Sequence, residues 1–461
     1  PQRALANDVT MSVESLISAF IPPESTSRIP TSSVSKNYLF EFLPNIKVHA
    51  VSTAQIPYVP RNGPWIYEIC TRRGFDIHPE LQIPSFWGGP WPSVPTPAKA
   101  AIRAGKMVLL LSSLPESSSP SSIRSLYHSL RENGAPLNQC VIMSSGLYRN
   151  AAIAGIRQNI GTDIIQAPWF EIDTLRDHQK NLRPYLEALP PTRDEKGRPI
   201  FRSKAYIMLN RRIEGAPHRI AAYLDLLRRD IVSHGHISMP WQCLNSPTKT
   251  FYDRIDEIKL LQQTQWDRRV IDLIRFGKKM FATGPGLHLP RKLDVSFEND
   301  DVRKMEVVAS DYHSGIIRDF YADAYFSVVT EGYTRYGGPD DFSSPSMISE
   351  KVFFPMMNFH PFIIIGEPFS LERLRDHGYQ TFSKWFDESY DRIEDPLDRI
   401  SAAIDVVEEL SNRPREVLHT MFEDMLPVLQ HNRNRVKERV AQFAQDLASG
   451  KLLPSSHHAQ I

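Results

Sequence analysis

Ser346-Met347-Ile348-Ser349-Glu350-Lys351-Val352-Phe353-Phe354-Pro355 runs into His360-Pro361-Phe362-Ile363-Ile364-Ile365-Gly366. The Ser-Glu-Lys triplet opens an apolar helical pattern, with Ser349 in the position of an N-cap. The Phe-Ile run that follows is apolar on both faces and ends in glycine, so it reads as a buried parallel strand. Helix, strand and glycine turn make half of a nucleotide-binding βαβ unit. A helix N-terminus beside a strand end suits a ribose and a diphosphate. Glu350 would accept ribose hydroxyls, and Lys351 would neutralise phosphate charge that grows as a leaving group departs.

Moving towards the N-terminus, Ala324–Thr330 (AYFSVVT) is a β-branched strand that exits through Thr330-Glu331-Gly332. Glu331 either takes a base or ribose hydroxyl or caps a following turn. Residues 205–209 (AYIML) form a strand that ends directly in Asn210-Arg211-Arg212, and a helix over 217–229 starts with His218-Arg219. Its apolar stripe is Ile220, Leu224 and Leu227. Ligands of open α/β sheets collect beyond the carboxyl ends of strands. An arginine there grips a diphosphate in a two-point geometry that lysine lacks. The expected clamp is therefore Arg211 or Arg212, opposite Lys351.

These residues resemble the donor-binding half of GT-B glycosyltransferases. The Ser349-Glu350-Lys351 segment is similar to that of fucosyltransferase-like and exostosin-like enzymes and of related viral and bacterial transferases. Asn210, Arg211, His218 and Arg219 match the Asn-Arg…His-Arg pattern with which the donor domain of those relatives begins. The resemblance is clearest from about residue 205 to residue 400. It implies two Rossmann-like α/β domains facing a cleft, and transfer of a sugar from a nucleotide-sugar to a hydroxyl on a glycan or glycoprotein. It also implies that no bound cofactor is needed, the nucleotide-sugar being the co-substrate. The two-glutamate signature of many retaining members is missing, since eight residues beyond Glu350 stands Asn358; this leans towards inversion.

The N-terminal half carries the same alternation. Residues 106–111 (KMVLLL) read as a central strand, 123–131 as a helix, 138–144 (NQCVIMS) as a second strand, and 163–167 as a third after a helix over 151–159. Pro- and Ser-rich stretches mark residues 1–35 as an extension. The charged run 191–202 suits a hinge or an exposed loop. The expected division is an extension to residue 35, an acceptor domain over 36–195, a donor domain over 196–412, and bracing helices over 413–461. The last helical stretch is expected to break at Pro427.

At 461 residues, two domains are the expectation. Lys and Arg total 54 against 53 Asp and Glu, which gives no excess of charge for nucleic acid. Three cysteines spaced far apart give neither zinc spacing nor a disulfide framework, and point to a reducing, cytoplasmic compartment. No apolar run reaches the length of a membrane span, and peripheral membrane association is left open.

The base that deprotonates the acceptor is expected from the N-terminal domain, where Glu116 follows a strand end; Glu41 and His49 are second choices. Asp340-Asp341 are adjacent and would point apart, so no metal site is expected there. His360 is expected as a packed residue at a strand entry. The segment Trp385-Phe386-Asp387-Glu388-Ser389-Tyr390-Asp391 is expected to be structural. The Trp/Gly/Pro-rich stretch at residues 86–92 is read as a plug over the core, with sugar stacking as the alternative.

Overall fold

The computed structural model describes residues 47–49, 65–70, 91, 94, 96–105, 107–113, 120–150, 153–154, 164–179, 185–210, 213, 215–243, 248–261, 267–283, 316–332 and 348–448. The chain is a mixed α/β protein with two parallel sheets. It divides into two compact units, Pro1–Arg176 with Lys437–Ile461, and Asp177–Val436.

The first unit holds β1 (Lys47–His49), β2 (Trp65–Cys70), β3 (Met107–Ser113), β4 (Cys140–Ser144) and β5 (Ile164–Gln166). They pair in parallel in the order of the chain. Helices α1 (Thr96–Arg103), α2 (Pro120–Glu132) and α3 (Trp169–Gln179) lie between and after them. A single apolar cluster joins Leu109 and Leu111 of β3, Ile142 of β4, and Ile123, Leu126 and Leu130 of α2. These α2 positions recur at helical spacing, which turns one stripe of the helix onto the strands. Trp91 is part of this core, with the Arg103 guanidinium 5.5 Å from its ring centre.

The second unit is built on β6 (Lys204–Leu209), β7 (Gly235–Ser238), β8 (Ala324–Thr330) and β9 (Phe362–Ile365), in the order β7-β6-β8-β9. All pairs are parallel. Every residue of β8 and β9 is buried, as continuous apolar runs of a covered parallel sheet must be. Its helices are α4 (Pro217–Arg228), α5 (Phe251–Arg254), α6 (Arg268–Met280), α7 (Ile316–Asp323), α8 (Glu350–Met357), α9 (Ser370–Asp376), α10 (Pro396–Ser411) and α11 (Arg415–Ala448). Helix α4 packs against α10, and α10 against β9 and β6. The order reverses between β6 and β8: from β6 the chain moves outward to β7, then returns to the other side of β6 for β8. That reversal is a topological switch point, the place beyond the carboxyl ends of strands where open α/β sheets carry their ligand crevices.

Two readings are corrected and one strand is added. Strand β7 is the addition: with sequence GHIS it is short and polar, and the apolar pattern does not mark it. Gly235 starts it because a Cβ there would fall 2.3 Å from the buried Tyr206 ring. Helix α11 runs unbroken through Pro427. Strand β4 begins at Cys140, since residues 137–139 form a 3-10 turn. The stretch 191–202 lies inside the second unit. It is a self-bonded turn: Asp194 accepts from the Lys196 and Arg198 amides, and Arg193 pairs with Glu423 at 2.6 Å.

Candidate functional site

Three chain segments meet at the switch point. The first is the exit of β6, where Asn210 is buried and its amide N–H continues the sheet to the Ser238 carbonyl (2.9 Å). The second is the exit of β8, where the Glu331 N–H continues the ladder to Ile365 of β9 (2.9 Å). The two exits are cross-linked: the Thr330 hydroxyl donates to Asn210 Oδ1 at 2.5 Å. The third is the N-terminus of α8. Ser349 is its N-cap, and its hydroxyl accepts from the Lys351 N–H (3.4 Å).

Glu331 joins these segments. Its carboxylate is 1% exposed and accepts the Ser349 N–H at 2.9 Å, the Ser349 hydroxyl at 2.6 Å and the Gly332 N–H at 3.1 Å. These bonds tie the exit of β8 to the N-terminus of α8, a partner that neither of the two roles read from sequence named. Burial pushes this carboxyl above the usual glutamate range, while the Lys351 charge and the Ser349 bonds pull it back. Gly366, at the exit of β9, is what lets that strand lie against Glu331: a Cβ would sit 3.1 Å from the Glu331 Cβ.

His218 and Arg219 occupy the first turn of α4, after Pro217, whose fixed φ and missing N–H suit that position. Both side chains turn to the Glu331 carbonyl, from His218 Nε2 at 2.6 Å and from Arg219 Nη2 at 3.5 Å. Burial, then the neighbouring Arg219 charge, push His218 down to about 3, so it is a neutral imidazole donating through Nε2. Lys351 is the partly open member: its side chain is 33% exposed, and its ammonium donates to Ser349 Oγ and Glu350 Oε1, each at 3.1 Å. Two helix N-termini, of α4 and α8, thus lie beside one pair of strand exits. Such ends carry partial positive charge and suit an anion.

Asn210, His218, Arg219, Glu331, Ser349, Glu350 and Lys351 are therefore brought together. Arg211, Arg212 and Glu116 lie outside the described residues, as do Glu41 and Asp340-Asp341. Among the described residues, no group of three or more His, Cys, Asp or Glu side chains is gathered closely enough to hold a metal ion. No helix among them is long and apolar enough to cross a membrane.

His360 is buried at the other end of β8. Its Nε2 reaches the Tyr321 carbonyl (2.5 Å) and its Nδ1 the Ser327 hydroxyl (3.1 Å). Burial holds it well below the usual histidine range. In the segment 385–391, Trp385 donates to Asp424 (2.7 Å), and Glu388 accepts from the Phe382 N–H (2.5 Å) and the Thr381 hydroxyl (2.8 Å). A buried charged group around the exit of β9 was not read from sequence. Arg399 of α10 donates to the Gly366 carbonyl (2.9 Å), Arg373 pairs with Glu367 (2.8 Å), and Asp391 accepts the Leu371 N–H at the start of α9 (3.0 Å). Burial pushes Asp391 up to about 6.

Comparison with family models and with curated proteins gives no match. Among solved structures the chain is similar to alpha,alpha-trehalose 6-phosphate synthase from Burkholderia multivorans. The two are 8% identical, 77% of this chain and 74% of that chain are covered, and the TM-score is 0.30. At that score the likeness carries no argument for fold or activity.

Proposed function

We propose that the protein is a glycosyltransferase of the GT-B type, moving a sugar from a nucleotide-sugar to a hydroxyl acceptor with inversion and without a metal ion. The observation that carries this reading is the meeting of Asn210, His218-Arg219 and Ser349-Glu350-Lys351 at the β6–β8 switch point. These are the residues on which the sequence resembles the donor half of such enzymes. In open α/β sheets, this is where nucleotides bind.

In the proposed reaction the acceptor oxygen bonds to the anomeric carbon, and the bond from that carbon to the diphosphate oxygen breaks. The diphosphate leaves with the electron pair, and the acceptor proton passes to a base, for which Glu116 is our candidate. Lys351, the N-terminus of α8, and Arg211 or Arg212 would stabilise the growing charge in place of a metal. Glu350 would hold ribose hydroxyls. Glu331 and His218 touch no ligand in this scheme; they hold the N-terminus of α8 and the exit of β8.

The test is a thermal-shift panel of nucleoside diphosphates followed by product analysis. A ligand at one hundred times its dissociation constant adds about 2.7 kcal/mol of stability. Donor turnover that needs an acceptor supports the proposal. Turnover of the donor alone means a hydrolase or epimerase, and tight binding without turnover means a binding protein.

A further inference from the structure

The exit of β6 carries a side-chain donor group that the described residues leave open. Asn210 is 2% exposed, and its Oδ1 is fixed by the Thr330 hydroxyl. Among the described residues its Nδ2 has no hydrogen-bond partner. Nearly all buried amide groups are paired, and an unpaired donor loses its hydration without replacement. The surrounding polar atoms are not loosely arranged: Glu331, Ser349 and His218 are each bonded. The open donor is the Asn210 side-chain NH2, whose plane is fixed by the Thr330 hydroxyl on Oδ1.

We propose that Asn210 is a ligand-binding residue whose Nδ2 donates to a phosphoryl oxygen of the molecule bound between the exits of β6 and β8. This rests on the nucleotide reading above for the place of the ligand, and adds an atom, a bond and the chemistry of its partner. The partner must be an acceptor, because Nδ2 only donates. Charge selects the kind of acceptor. The Arg219 guanidinium shares the Glu331 carbonyl with His218, and the Lys351 ammonium is tethered to the Ser349 that Glu331 caps. Glu331, the buried carboxylate among these side chains, has both oxygens bonded to Ser349. A neutral donor among such cations completes a site for an anionic oxygen better than for a carbonyl or a hydroxyl.

The full chain should be titrated calorimetrically with ADP, CDP, GDP, UDP and dTDP, with the matching nucleosides, and with inorganic pyrophosphate. In Asn210→Leu the best diphosphate should bind roughly 10- to 100-fold more weakly, as expected for loss of one hydrogen bond to a charged group. The matching nucleoside should change much less. Asn210→Asp, which sets a carboxylate against the phosphate, should weaken the diphosphate further still. Thr330→Val keeps the amide but frees its plane, and should weaken the diphosphate in the same selective way; it tests the bond if a substitution at 210 fails to fold. Unchanged diphosphate affinity in Asn210→Leu, or equal weakening of nucleoside and diphosphate, overturns the role of Asn210. If Lys351→Ala still loses the diphosphate in that case, the nucleotide reading stands alone. A native chain that binds no diphosphate and no pyrophosphate overturns both.

Discussion

Mild acid should loosen the second sheet through a single imidazole. His218 titrates at 6.5 in its ordinary state and is pushed down to about 3 in the fold, by burial first and then by Arg219, Lys351 and Arg399. A depressed folded value means that the unfolded chain binds the proton first. The stability contributed is complete above the unfolded value and is lost as the pH falls from there towards the folded one. Between pH 7 and pH 5 the loss is about 2 kcal/mol, since each pH unit below 6.5 contributes about 1.4 kcal/mol. The figure holds for any folded value below about 4. His360 acts in the same sense, and Asp391 opposes both, because its raised value stabilises the fold on acidification. A difference of differences isolates His218. His218→Gln keeps an N–H for the Glu331 carbonyl and has nothing to titrate. Native-state hydrogen exchange at the amides of β8 and β9 reports the opening free energy of this sheet alone, free of the first unit. The native protein should lose about 2 kcal/mol more than the variant between pH 7 and pH 5. Equal losses in the two proteins would refute a neutral, buried His218.

Lys351→Ala should cut turnover at least a hundredfold, about 2.7 kcal/mol, with the melting temperature little changed because its side chain is partly open; near-native turnover would sink the donor-site assignment. Activity should persist in excess chelator; complete loss restored by manganese or magnesium would bring Asp340-Asp341 back as a metal site. Glu331→Gln should destabilise the second sheet by about 1–3 kcal/mol, because the Ser349 N–H and hydroxyl donate to different carboxylate oxygens and one of these becomes an NH2 that cannot accept. It should also weaken diphosphate binding through the untethered α8 terminus. Unchanged urea midpoint and unchanged affinity would show that the α8 terminus holds its place without Glu331.

The elements around the switch point were legible because each carries a strong local signal. Strands β8 and β9 are continuous apolar runs, α4 opens with a proline, and α8 with an N-cap serine. The partner of Glu331 was not legible, because Ser349 lies 18 residues away and no local pattern links the two. Strand β7 escaped because an edge strand with one side chain of strong apolar character has no periodicity to read. Pro427 misled, because its removal of one backbone hydrogen bond is a local loss that the long helix around it absorbs. The Arg399–Glu367–Arg373–Asp391 group left no motif; its only trace is an arginine beside Ile400 in the buried stripe of α10.

Strand β8 is held at its two ends by opposite devices, and this explains why function would gather at one of them. At its start, Arg202 is buried: it donates to the Tyr321 and Ala324 carbonyls and stacks 3.9 Å from the Phe422 ring centre. Burial pulls it down to about 10, still charged at neutral pH. His360 and Ser327 close that end, each bonded within the fold. At the exit the charge is a buried carboxylate, and its bonds run to the terminus of a helix whose next side chains, Glu350 and Lys351, are partly open. The ligand proposed for that place would find the α8 terminus already fixed by Glu331 and the Glu331 carbonyl already fixed by His218. Little ordering remains to be done on binding, and fixed dipoles stabilise developing charge without reorganising. Among the described residues, Lys351 would have to move to meet the proposed phosphate, because its ammonium is bonded to Ser349 and Glu350. Exchanging those two bonds for phosphate oxygens is electrostatically favourable, since a phosphate offers more charge than a serine hydroxyl and a single carboxylate oxygen. Among the described residues of the site, those around Glu331 are buried and bonded, and Lys351 is the partly open cation that the proposed diphosphate would meet.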